Sequence, residues 1–69
     1  MTKYADNALV AIRTARGLTQ QQLANAAGLN IRMIQKFESG ERSLKTARAD
    51  TLMAIAEALG VKIEKLLIG

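Results

Sequence analysis

Apolar positions recur along this chain in steps of three and four residues, and a glycine closes each of the first four segments. Leu9 and Ile12 share the inner face of a first helix expected from about Ala5 to Arg16, with Gly17 as its stop. The second start carries unusually full capping chemistry. Thr19 is placed as an N-cap, Gln22 stands three residues on to complete a capping box, and Leu18 and Leu23 form a hydrophobic staple. A helix of about two turns, Gln20 to Ala27, should follow and close at Gly28 in a left-handed conformation. The pattern repeats at once: Asn30 is a good N-cap, Leu29 and Ile34 form a second staple, and a helix over about 31–39 ends at Gly40. A fourth helix is expected from about Thr46 to Leu59, with Ala49, Leu52, Ile55, Ala56 and Leu59 on one face and Gly60 after it. The last segment, "KIEKLLI", offers Ile63, Leu66 and Leu67 for packing, behind a poor N-cap at Lys62.

The stretch "LTQQQLANAAGLNIRMIQKFESG" therefore breaks one short helix and begins another within about three residues. Two short helices joined this way through a glycine, crossing steeply, are the signature of a helix-turn-helix. The crossing demands a small side chain at closest approach, and Ala24 is placed for it. Leu23, Ala27, Leu29, Ile34 and Phe37 are then the inward positions, and each is apolar. The break aims the third helix outward while Ile34 and Phe37 anchor its inner face.

Composition narrows the picture. The chain has 69 residues, with 49% hydrophobic residues of which many are alanine, one Tyr, one Phe, and no Trp or Pro. That favours closely packed short helices in a single domain spanning residues 1–69. No Cys or His is present, so disulfides and the usual transition-metal ligands are excluded, and no metal or cofactor is expected. A core this small leans on helix packing and on association between copies. No apolar run approaches the roughly 18 residues of a membrane span. The start, "MTKYADNALVAIRTARG", has no continuous apolar stretch of a secretion signal, and a cytoplasmic location is expected. The formal net charge is +4, ten Lys+Arg against six Asp+Glu, which suggests a polyanionic partner.

The segments "IRTARGLTQQQLANAAGL", "IQKFESGERS" and "TLMAIAEALGVKIEKLL", in this order and spacing, resemble the Cro/phage-repressor (Xre-type) helix-turn-helix proteins. The resemblance covers the chain from about Leu9 to Leu67. It implies an all-α fold, a compact five-helix bundle of the lambda-repressor-like type, whose third helix enters the DNA major groove. The chain departs from the family between Gly40 and Leu52, "GERSLKTARADTL", which is a few residues longer than the commonest form and lacks the proline often found there.

Long polar side chains read base edges: Arg or Lys pairs with guanine O6 and N7, Gln or Asn with adenine N6 and N7. The third helix offers Asn30, Ile31, Arg32, Gln35 and Lys36 as base contacts, with Asn30 also a cap and Ile31 facing a thymine methyl. Met33 is expected mostly in the core. Phosphate contacts are expected from Thr19 and Gln20, where a helix N-terminus presents free N–H groups, and from Ser39, Arg42 and Lys45 after the third helix. In the family, residues matching Gln20 commonly contact phosphate. Arg48, Arg16, Lys62 and Lys65 are further cations in reach of a backbone. For all of these the plain alternative is a solvated helix face or loop. The resemblance also implies an ion pair between Arg13 and Glu38, a structural role for both.

The expected function is sequence-specific binding of double-stranded DNA by a transcriptional regulator. One recognition helix spans few base pairs, so a homodimer on a two-fold site is expected, with Ile63, Leu66, Leu67 and Ile68 as candidate interface. Intramolecular packing is the competing role for those four. The alternative is an antitoxin or other protein-interaction module built on the same fold. An enzyme is not expected, because without His or Cys the scattered acids form no recognisable catalytic group. Nor is a membrane-surface peptide, since the apolar faces are committed to folding.

Overall fold

Helix-forming segments closed by glycine leave little choice but a bundle, and the computed structural model, which describes residues 8–67, is one. Its helices among the described residues are α1 (Ala8–Ala15), α2 (Gln20–Ala27), α3 (Ile31–Ser39), α4 (Ala49–Leu59) and α5 (Ile63–Leu67), with a 3-10 turn at Leu44–Thr46. No strand occurs among the described residues. The expected start of the first helix, from Ala5 to Asn7, lies outside them.

Local chemistry sets the ends of α2. Gln22 N–H donates to Thr19 Oγ1 at 3.0 Å, and Thr19 N–H donates to Gln22 Oε1 at 2.9 Å, so both halves of the capping box are made. At the other end Gly28 adopts φ +67°, Leu29 N–H donates to Ala24 O at 2.9 Å, and Gly28 N–H to Asn25 O at 3.2 Å. That closure engages the carbonyls of Ala24 and Asn25 in the last turn of α2 and turns the chain sharply. Asn30 then caps α3, its Oδ1 accepting from Arg32 N–H at 2.8 Å.

α2 lies against α3 and α4, α1 against α3 and α5, and α5 against α4, which encloses one core. Leu9, Leu23, Ala24, Ile34, Phe37, Leu52, Ile55, Ala56, Leu59 and Leu66 are buried in it. Of the expected inward positions, Ala27 and Leu29 are only half-buried, because they flank the corner rather than the crossing.

Ala24 has no exposed surface, and it belongs to the helix that touches both α3 and α4. A larger side chain there must push neighbouring helices apart. Ala24→Leu should therefore cost about 1–3 kcal/mol, read as a lowered thermal midpoint. An unchanged midpoint would show that the helices have slack at this point.

The fourth helix begins later than its apolar pattern suggests, at Ala49 rather than Thr46. Ser43 is the reason. Its Oγ accepts from Lys45 N–H at 3.1 Å while Thr46 Oγ1 donates to Ser43 O at 3.1 Å, which holds Leu44–Thr46 as one separate turn. Ala47 and Arg48 are extended, and Arg48 gives α4 no side-chain cap. Ala49 is consequently exposed, not on the inner face expected for it. The loop before α4 has a structural use: it carries Leu44 into the core beside α5.

Candidate nucleic-acid interface

The outward face of α3 follows from its anchored one. Ile34 and Phe37 are buried, and Met33 and Ile31 are half-buried against the same core. On the opposite side of the helix, Arg32, Gln35 and Lys36 are exposed and line one shallow depression together with Ser39 and Glu41. Lys36 Nζ stands 3.9 Å from Glu41 Oε2 with both side chains at least half exposed, a loose pair that water and salt weaken.

Other expected contact residues are engaged by the protein itself. Asn30 caps α3 and Thr19 caps α2 through their side-chain oxygens. Ser39 Oγ donates to Lys36 O at 3.1 Å and accepts from Glu41 N–H at 3.3 Å. Ile31 is drawn partly into the core. Arg42 and Lys45 are exposed on the loop, and the Arg42 backbone N–H donates to Lys36 O at 3.1 Å, which folds the loop back along α3. Arg16, Arg48, Lys62 and Lys65 are exposed as well. Arg48 Nε lies 3.4 Å from Asp50 Oδ1, both side chains largely in solvent.

Beneath this face sits a charged group the fold does not leave to water. The structure brings Arg13 of α1 and Glu38 of α3 together in a two-point fork: Nε donates to Oε2 at 2.5 Å and Nη2 to Oε1 at 3.0 Å. The side chains are 13% and 6% exposed. Arg13 Nη1 also donates to Leu18 O at 2.7 Å, so one guanidinium ties α1, the approach to α2 and the end of α3. Gln20 completes the group, its Nε2 donating to Glu38 Oε1 at 2.8 Å. Among the described residues no buried side-chain nitrogen or oxygen lacks a partner.

The inward turn of the Gln20 side chain was not expected from the sequence, where Gln20 stood as a phosphate contact through the free N–H groups of this helix start. Its backbone at the first turn of α2 stays available: the N–H groups of Gln20 and Gln21 have no acceptor among the described residues, since the cap takes that of Gln22. Gln20 Oε1 in turn accepts from Gln35 Nε2 at 3.4 Å, a long contact that links the buried pair to the outer face.

At the far end of the molecule Leu66 is buried and serves the fold's own core, which removes it from a free surface. Ile63 and Leu67 are half-buried, and Ile68 lies outside the described residues. Met53, which sequence periodicity did not single out, is 50% exposed and borders a shallow depression with Ala56, Val61 and Ile63. No group of acids that could hold a metal occurs among the described residues, and no helix there is long and apolar enough to cross a membrane.

Comparison with known proteins agrees with this geometry. A helix-turn-helix family model matches residues 9–66. The solved structure of the restriction-modification controller protein C.AhdI from Aeromonas hydrophila is similar to this chain at 30% identity, with a TM-score of 0.78. The similarity covers 87% of this chain and 86% of that one. Comparison with curated protein sequences gives no match.

Proposed function

Since this chain belongs to the Xre-type helix-turn-helix family of DNA-binding transcriptional regulators, we propose that α3 enters the major groove and reads sequence with Arg32, Gln35 and Lys36. The observation that carries this is their shared exposed face on a helix whose opposite side is locked by Ile34 and Phe37. A major groove is wide enough for such a helix, and these side-chain types match its donor and acceptor pattern. The backbone N–H groups opening α2, with Arg42 and Lys45 on the loop after α3, hold the flanking phosphates. Residues 1–69 act as one such domain, without enzymatic activity, wherever cellular DNA is reached in the cytoplasm.

A pair of chains on a two-fold site gives the specificity that one short helix lacks. Met53, Val61, Ile63 and Leu67 supply the apolar surface for that pairing, supported by the exposure of Met53 and the half-burial of the others. The likeness to a restriction-modification controller supports a regulatory role for this chain.

The test is selection of bound sequences from a random DNA pool, where a two-fold symmetric motif is the expected result. Enrichment of no motif would overturn the reading and direct attention to a protein partner. Within the motif, Arg32→Ala should cost about 1–3 kcal/mol and relax preference at one base position. Equal weakening on every sequence would reassign Arg32 to a phosphate.

A further inference from the structure

We propose that Gln20 fixes the hydrogen-bonding polarity of Gln35, so that the buried Arg13–Glu38 pair, acting through Gln20, makes Gln35 a reader of adenine and biases it against guanine. The inference rests on the reading above that α3 faces base edges.

Glu38 turns both carboxylate oxygens to Arg13, and a carboxylate in such a fork can only accept hydrogen bonds. An amide could point either its oxygen or its nitrogen at a neighbour, but Gln20 facing Glu38 Oε1 must present Nε2, as it does at 2.8 Å. That leaves Gln20 Oε1, an acceptor, directed at Gln35, and Gln35 must answer with Nε2, as it does at 3.4 Å. Each amide is thereby oriented by the one beneath it, and the first by a fixed charge. Gln20, Gln35, Glu38 and Ser39 border one surface depression, so the series opens at the outer face of the protein.

What Gln35 still presents follows directly. One Nε2 hydrogen is committed to Gln20, so one hydrogen and the Oε1 acceptor remain, and Oε1 has no partner among the described residues. Adenine offers one donor, N6, and one acceptor, N7, in the major groove, which this remaining pair complements. Guanine offers two acceptors, O6 and N7. To satisfy both, Gln35 would need both Nε2 hydrogens, and it must then abandon Gln20. Gln20 in this account is a positioning residue that never touches the base.

The experiment uses the full chain and the motif selected by the wild-type protein. Gln35→Ala first identifies the base pair that loses preference. At that pair the wild type should favour adenine over guanine by roughly 5- to 150-fold, the range of one good two-point contact. Gln20→Met, similar in length but without hydrogen bonds, should cut that ratio about fivefold or more, while preference at the pair read by Arg32 is unchanged. The double variant should be no less selective than Gln35→Ala alone. An unchanged ratio in Gln20→Met would overturn the inference, as would equal weakening at all pairs, which marks Gln20 as a simple phosphate ligand. Should Gln20→Met fail to melt cooperatively, the wild-type preference decides: guanine at the Gln35 pair overturns the proposal. Absence of any motif for the wild type sinks the DNA-reading function itself, whereas a motif with an unmoved ratio sinks only the relay.

Discussion

Replacing Arg13 with alanine is expected to destabilise the fold by about 3–5 kcal/mol, the cost of stranding one charge of a buried pair. Glu38 has 6% of its side chain exposed, so water cannot replace the lost fork. The same change removes the donor to Leu18 O, which joins α1 to the start of α2. For a domain this small each kcal/mol shifts the thermal midpoint by about 4–8 °C, so the loss should reach roughly 12–40 °C. Thermal or urea unfolding followed by circular dichroism measures it. A companion variant separates charge from packing: Arg13→Ala with Glu38→Leu removes both charges and should recover part of the stability. A single variant within about 1 kcal/mol of wild type would mean that the pair orients side chains without holding the helices.

The second large effect is on binding. If Arg42, Lys45 and Arg48 of each chain in a pair displace counterions, roughly six phosphates are neutralised. Affinity for the selected site should then fall about a thousandfold between 50 and 200 mM salt, with a slope near −5 on logarithmic axes. Titrations at several salt concentrations give the slope, and Lys45→Ala should make it shallower by about 1 per chain. A slope near zero would leave the cationic loop without a role on DNA.

Much of the architecture was legible because its determinants are local. Thr19 with Gln22, and Asn30 ahead of Arg32, sit within three residues of the backbone groups they bond, so spacing alone exposes them. The corner at Gly28 is equally local. The start of α4 was not legible, because one serine hydroxyl diverted the chain into a separate turn where apolar periodicity suggested continuity. Leu44 fell outside every helical pattern for the same reason, although it ends in the core. In α5 five residues are too few for a period to separate Leu66, which faces inward, from Leu67, which is half-exposed.

The interface divides along the same line. That Arg32, Gln35 and Lys36 share a polar face is a matter of helical spacing. That Gln20 turns inward depends on a carboxylate eighteen residues away. The clue was present: an Arg fork leaves acceptor sites on Glu38 that a buried carboxylate must fill, and an amide at the adjoining helix start is suited to fill one.

Leu44 has one more effect. Its side chain acts as a peg, and the loop that bears Arg42 and Lys45 hangs from it. Trimming the loop to a shorter form would withdraw that peg and leave a void, so the span of the cationic arm is set by the volume of the hydrophobic interior rather than by anything the arm itself touches.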